Sequence, residues 1–201
     1  MPPSPSLITP HRQAFVDESF QEAPIGGFYV LAAAVFDLPA HDPARAAMLA
    51  LRAKQGGRAV RKVHWSEMDA QRRRHAAKTV ADTFHLVAIG VPVPRRRQER
   101  ARAMCLRHLV VELHGYGVTE LFMESRTPTL DRRDIQTVAG TRFLLPKGVL
   151  FRVSHQAGAE EPLFWGADIV AGAVRAHYEG DPESRLLLKE RLYEIQVDTG
   201  C

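Results

Sequence analysis

Whatever this chain folds into must bury the run from Gly26 to Phe36, its longest apolar stretch. The run is too short to span a bilayer, which takes about 20 helical residues. It therefore belongs inside protein. Phe28-Tyr-Val-Leu-Ala-Ala-Ala-Val-Phe36 reads as a buried strand. Upstream, Ala14-Phe-Val-Asp-Glu-Ser19 reads as a shorter buried strand that ends in acids. Gln21 to Gly27 is a turn, with Pro24 and Gly26-Gly27 as breakers, so the two strands are expected to form a hairpin.

The rest of the chain alternates. Asp42-Pro43 signals a helix start, with the helix running to about Lys54 and closed by Gly56-Gly57. Arg61 to Trp65 is a short extended piece. Ser66 with Asp69 resembles a capping box ahead of a basic helix over 67–83. Phe84 to Val91 is a strand ended by Pro92 and Pro94. A helix over 98–114 carries apolar positions at Ala101, Met104, Cys105, Leu109 and Leu113. Val118 to Glu124 is a strand, Asp131 to Thr141 a helix, and Val149 to Ser154 a last strand. Helices over 162–178 and 182–192 close the chain. A hairpin followed by alternating strands and helices predicts an α/β fold, a mixed sheet with helices packed on it. Residues 1–12 hold four prolines and are expected to be a disordered lead-in to a single domain over 13–201.

Composition narrows the class. At 201 residues with 45% hydrophobic content the chain can bury an ample core. Two cysteines, Cys105 and Cys201, exclude a disulfide-dense scaffold and a four-cysteine zinc site. The N-terminus lacks a secretory signal pattern, so a cytoplasmic location with no membrane partner is expected. Net charge is only +4, but 22 of the 27 basic residues are Arg. Arg presents a rigid fork to phosphate, so the excess fits a phosphate-rich partner such as nucleic acid. An Arg-rich, GC-coded surface accounts for it equally.

The chemistry rests on acids in apolar surroundings, where an unpaired carboxylate is costly. Asp17 and Glu18 end the strand begun by Ala14-Phe-Val, and Glu124 ends Leu121-Phe-Met. Asp168 sits in the apolar helix Gly166-Ala-Asp-Ile-Val-Ala-Gly172. If these acids converge, they repel one another unless cations bind, and Mg²⁺ or Mn²⁺ suits carboxylate oxygens. Asp17 and Glu18 point to opposite faces of a strand, so both need not enter one site. Each acid also has a plainer reading: a solvated strand end, a charge in the first turns of its helix for Asp168, an ion pair with Arg126, Arg132 or Arg133 for Glu124. Lys62 could hold a phosphate, and His64 and Glu67 could face the same cleft. Asp131 and Asp134 are expected to cap their helix and pair with Arg132 and Arg133. Arg72-Arg73-Arg74 and Arg95-Arg96-Arg97 become a phosphate track only if they border the acids. Ser19, or Ser154 with His155, lacks the G-x-S-x-G elbow of a serine hydrolase, and there is no phosphate-binding G-x-x-x-x-G-K-[ST] loop.

Phe15-Val-Asp-Glu-Ser19 with its apolar second strand resembles the opening of domain-of-unknown-function family 3800, and Pro162-Leu-Phe-Trp-Gly-Ala-Asp168-Ile-Val-Ala-Gly172 resembles that family's closing motif. The resemblance covers about residues 14–178. Phe20 stands where the family has glycine, Trp165 where it has glutamine, and Glu124 where it has aspartate. The resemblance implies a ribonuclease H-like mixed sheet and a metal-dependent nuclease. It implies Asp17, Glu124 and Asp168 as metal ligands, Glu18 in support, and Lys62, His64 and Trp165 on the substrate. In such sheets the second acid comes from a strand beside the first. Glu124 follows an intervening acid-free strand, 84–91, so Glu67 is the alternative third acid. A catalytically inactive binding or regulatory module on the same fold is the rival reading, and a small-ester hydrolase a third.

Overall fold

A computed structural model describes residues 12–52, 54–55, 58–59 and 61–201. The strands are β1 (Arg12–Gln21), β2 (Phe28–Asp37), β3 (Lys54–Gln55), β4 (Arg58–Ala59), β5 (Phe84–Val91), β6 (Val118–Glu124), β7 (Arg152–Gln156) and β8 (Leu192–Asp198). The helices are α1 (His41–Ala50), α2 (Ala70–Val80), α3 (Gln98–Gly115), α4 (Pro128–Thr141), α5 (Leu163–Tyr178) and α6 (Glu183–Leu186). Except for Arg12, which opens β1, the expected lead-in over 1–12 lies outside the described residues, as do Gly56 and Gly57.

Six strands form one sheet in the order β7-β6-β1-β2-β5-β8, and β3 pairs only with β4. β1 and β2 make the expected antiparallel hairpin, with Asp17 opposite Ala32. β5 runs antiparallel to β2, while β6 lies parallel to β1 and β7 parallel to β6. β8 is parallel to β5 at the far edge. This is the mixed α/β sheet expected of a ribonuclease H-like fold, an antiparallel start followed by parallel strands with helices on both faces.

Strand alternation divides the core in two. Phe15, Val30, Ala32 and Ala34 face one side, under α5 with α1 and α2. Ala14, Val16, Leu31, Ala33 and Val35 face the other, under α3. β2 is buried along both faces, which is why its sequence shows no polar alternation. α5 is apolar nearly all round because it lies in the middle of its layer. No helix among the described residues is long and apolar enough to cross a membrane.

Several expected boundaries move. α2 starts at Ala70, and its N-cap is Asp69, which accepts a hydrogen bond from the Arg72 amide at 2.8 Å, rather than Ser66. α4 starts three residues early, at Pro128 behind the Thr127 cap. The last strand expected over 149–154 is shifted to 152–156. The expected helix over 182–192 is only the single turn α6, and the chain then enters β8, which had no counterpart in the sequence reading. In α3 the buried stripe is Ala101, Arg102, Cys105, Leu106, Leu109, Val110 and Leu113, so Met104 lies at its margin and Arg102 within it.

Candidate functional site

The alternation that sorts the core also aims the acids. Asp17 follows Phe15 by two and so points to the α5 face; Glu124 follows Phe122 by two and does the same. The parallel register pairs Val16 with Met123, so Asp17 and Glu124 are the next neighbours; β6 ends there, whereas β1 runs on to Gln21 along β2 rather than ending at its acids as expected. Ligands of open α/β sheets bind at such strand ends. Asp168 reaches the same place from α5. The expected difficulty over Glu124 is resolved by strand order: β5 packs outside β2, which leaves β6 directly beside β1.

The segment before α2 completes the cleft. Val63 is buried while Lys62 and His64 on either side of it face the acids. Asp17, Glu18, Lys62, His64, Glu124 and Asp168 thus line one cleft of about 320 Å³. Lys62 forms an ion pair with Glu124, in place of the arginines expected for it. Glu124 lies against the backbone at Gly158, where a Cβ would run into its carboxyl group. Asp168 accepts a hydrogen bond from the Trp65 amide at 2.7 Å. Trp65 is placed there because its ring seats on Gly172, one helical turn beyond Asp168.

Burial of Asp17, which is only 9% exposed, pushes its pKa well above the usual carboxylate range, with repulsion from Asp168 and Glu18 adding to the rise. Burial also raises Asp168, against the opposing Trp65 hydrogen bond and the Lys62 charge. Burial, ahead of repulsion between the acids, is what makes both carboxylates costly to ionise.

Glu18 points to the opposite face, as strand alternation requires, and its carboxylate is held by Arg102 at 2.7 Å. The buried Arg102 also bonds Asp134 through two nitrogens, at 3.0 and 2.9 Å, and the Tyr29 hydroxyl at 3.2 Å. Asp134 in turn meets Arg126 and His155. Burial alone would raise the Asp134 pKa, but hydrogen bonds from His155 and Arg102 and the charges of Arg102 and Arg126 hold it below the usual range. Asp131 and Asp134 therefore serve Arg126, Arg102 and His155 rather than Arg132 and Arg133. This network braces Glu18 and the β6 end, and sequence reasoning missed it. The available signal was Arg102 itself, spaced three, four and seven residues ahead of Cys105, Leu106 and Leu109 on an apolar helix face.

Trp165, Glu67 and the Ser154–His155 pair fall elsewhere. Trp165 is 1% exposed and donates its indole N–H to the Gly158 carbonyl at 2.9 Å, so it presents no face to a substrate. Glu67 is exposed in a 3₁₀ turn and does not line the cleft. Ser154 and His155 lie on β7, with His155 on Asp134. Cys105 is buried, which pushes its thiol up to about 12.

The residues can be tested against the divalent ion that a ribonuclease H-like site implies. Asp17, Glu124 and Asp168 offer hard oxygens, and Asp17 and Asp168 are carboxylates that burial makes costly to ionise without a cation. Among the described residues, no three His, Cys, Asp or Glu side chains close on a common ligating point, and Lys62 occupies Glu124. The three carboxylates are oxygen donors of the kind Mg²⁺ and Mn²⁺ take, and Lys62 pairs with one of them. In comparisons with known proteins, no family model and no curated relative matched this chain.

Proposed function

We propose that this protein is a Mg²⁺- or Mn²⁺-dependent phosphodiesterase acting on nucleic acid, of the kind its resemblance to family 3800 implies. One observation carries the reading: Asp17, Glu124 and Asp168, from two strands and a helix, line one cleft with Lys62 between them. Asp17, Glu124 and Asp168 would hold the metal. When bound, such ions activate a water and stabilise the leaving oxygen. Lys62, released from Glu124, neutralises a phosphate oxygen, and His64 on the same side hydrogen-bonds the substrate. Glu18, fixed by Arg102, keeps the cleft wall in place. No covalent enzyme intermediate is required.

The test is Mn²⁺ binding by calorimetry to wild type and Asp17→Asn, with cleavage of DNA and RNA measured on the same samples. Wild type is expected to bind and cleave. Asp17→Asn is expected to lose binding and at least about a hundredfold in rate. Equal cleavage by the two proteins would refute the assignment. The Lys62–Glu124 ion pair favours a second reading, a binding module that neutralises its own acids and retains nucleic acid in EDTA without cleaving it.

A further inference from the structure

The acid cleft opens sideways into a larger groove of about 470 Å³, and Glu18 and Asp168 form the shared wall. Beyond that wall two arginines join the lining. Arg73 from α2 and Arg175 from α5 flank it, with Ser19 and Ser66 between and Glu179 beside Arg175. Arg73 is the informative residue. Its guanidinium lies 5.1 Å from the centre of the Trp65 ring, which fixes it in place. Its Nε is buried, yet among the described residues it meets no acceptor. No hydrogen bond or ion pair among the described residues engages the rest of the guanidinium, which lines the groove and can take an acceptor there. Arg175 holds only Glu179, at 2.8 Å in an exposed pair along its own helix, and such pairs are weak enough to exchange.

We propose that this groove holds a phosphate of a nucleic-acid strand adjoining the one in the acid cleft, with Arg73 as its principal ligand and Arg175 as its second. The proposal rests on the phosphodiesterase reading for its substrate class. A guanidinium fork matches phosphate oxygens and grips the strand's backbone without touching a base. The contact therefore positions the strand and carries no sequence preference. Of the two arginine triplets, only the first sends a member, Arg73, into the groove; Arg74 pairs with Glu183 outside it.

The experiment measures binding of a fluorescein-labelled oligothymidylate by anisotropy in EDTA across a salt series, with thymidine monophosphate as competitor. Arg73→Met keeps the stem on Trp65 and removes the fork. It is expected to weaken strand binding about tenfold and to flatten the salt slope by about 0.7. Arg74→Met is expected to bind like wild type, and Arg73→Lys to stay within a few-fold of it, which separates lost charge from lost folding. Unchanged affinity and slope in Arg73→Met overturn the proposal. So does Arg73-dependent binding of the monophosphate without binding of the strand, which would make the ligand a free nucleotide. Because no metal is present, the result is independent of catalysis. An Arg73 effect without cleavage in any metal keeps the groove and removes the nuclease; cleavage with no Arg73 effect does the reverse.

Discussion

Replacing Gly172 by Ala sets two opposed effects against each other. In the interior of α5 the change should help, since Ala exceeds Gly in helix propensity by about 1 kcal/mol. The structure opposes it. A Cβ at position 172 would enter the Trp65 ring, with the Cδ2 atom at 2.6 Å and other ring atoms closer. The ring cannot swing aside easily. Trp65 is buried, Arg73 lies over it, and its amide is tied to Asp168. Overpacking of this kind costs about 1–3 kcal/mol. With backbone bonded at one side of the ring, the cost should lie at the upper end and leave a net loss of about 1–2 kcal/mol. In urea, with a slope of about 2 kcal/mol per molar, the midpoint should fall by about 0.5–1 M. The substitution also pulls the Trp65 amide from Asp168 and so should weaken Mn²⁺ binding. A midpoint equal to or above that of wild type would show that propensity wins and that Trp65 is not seated as described.

Other outcomes follow from the same geometry. Gly158→Ala should displace the Glu124 carboxyl group and reduce cleavage while leaving the urea midpoint within about 1 kcal/mol of wild type; full activity would remove Glu124 from the site. Asp134→Ala leaves Arg102 and Arg126 short of a buried partner and should cost about 3–5 kcal/mol by chemical denaturation. His85 is buried, and desolvation lowers its pKa to about 4. The native state then binds fewer protons than the unfolded state, so stability from this group is full above pH about 6.5 and is lost as pH falls toward 4, by about 3 kcal/mol. The fall across that interval should be smaller in His85→Gln than in wild type, and an equal fall in the two would contradict the burial of the ring.

The hairpin and the acids were legible because both depend on local pattern. Apolar runs that stop at Asp17 or Glu124 mark a change of surroundings without knowledge of the fold, although only Glu124 ends its strand and β1 runs on to Gln21. Which strand lies beside which is a long-range fact, and the choice between Glu124 and Glu67 turned on it. Only the placement of β5 outside β2 brings Glu124 next to Asp17. β8 was missed although its signal was present: Tyr193, Ile195 and Val197 alternate with Glu194, Gln196 and Asp198. Over 182–192, charged residues around Leu186-Leu-Leu188 read as a continuing helix and masked where the helical turn ends. Trp165 was misassigned because its position next to Asp168 in sequence suggested the site. In α5, however, it turns into the core, and the tryptophan that meets Asp168 is Trp65, about a hundred residues away.

The two faces of β1 divide the labour between two treatments of buried charge. On the α3 side, Glu18, Arg102, Asp134 and Arg126 are hydrogen-bonded and paired, so their charges are offset in the ground state. On the α5 side, Asp17 and Asp168 are buried with no ion pair of their own among the described residues, and Lys62 pairs with Glu124. A raised carboxylate pKa means that the native state binds protons more tightly than the unfolded one. The ionised acids therefore cost stability at neutral pH, and that stability returns as pH falls through their raised pKa values. A fold that needed these residues only for its own integrity would be better served by neutral side chains there. Asp17→Asn should accordingly melt at or above wild type at pH 7, and this separates a binding role for Asp17 from a structural one. An amide at Asp17 that lowered the melting temperature would place Asp17 with Asp134, among the acids that hold the sheet together.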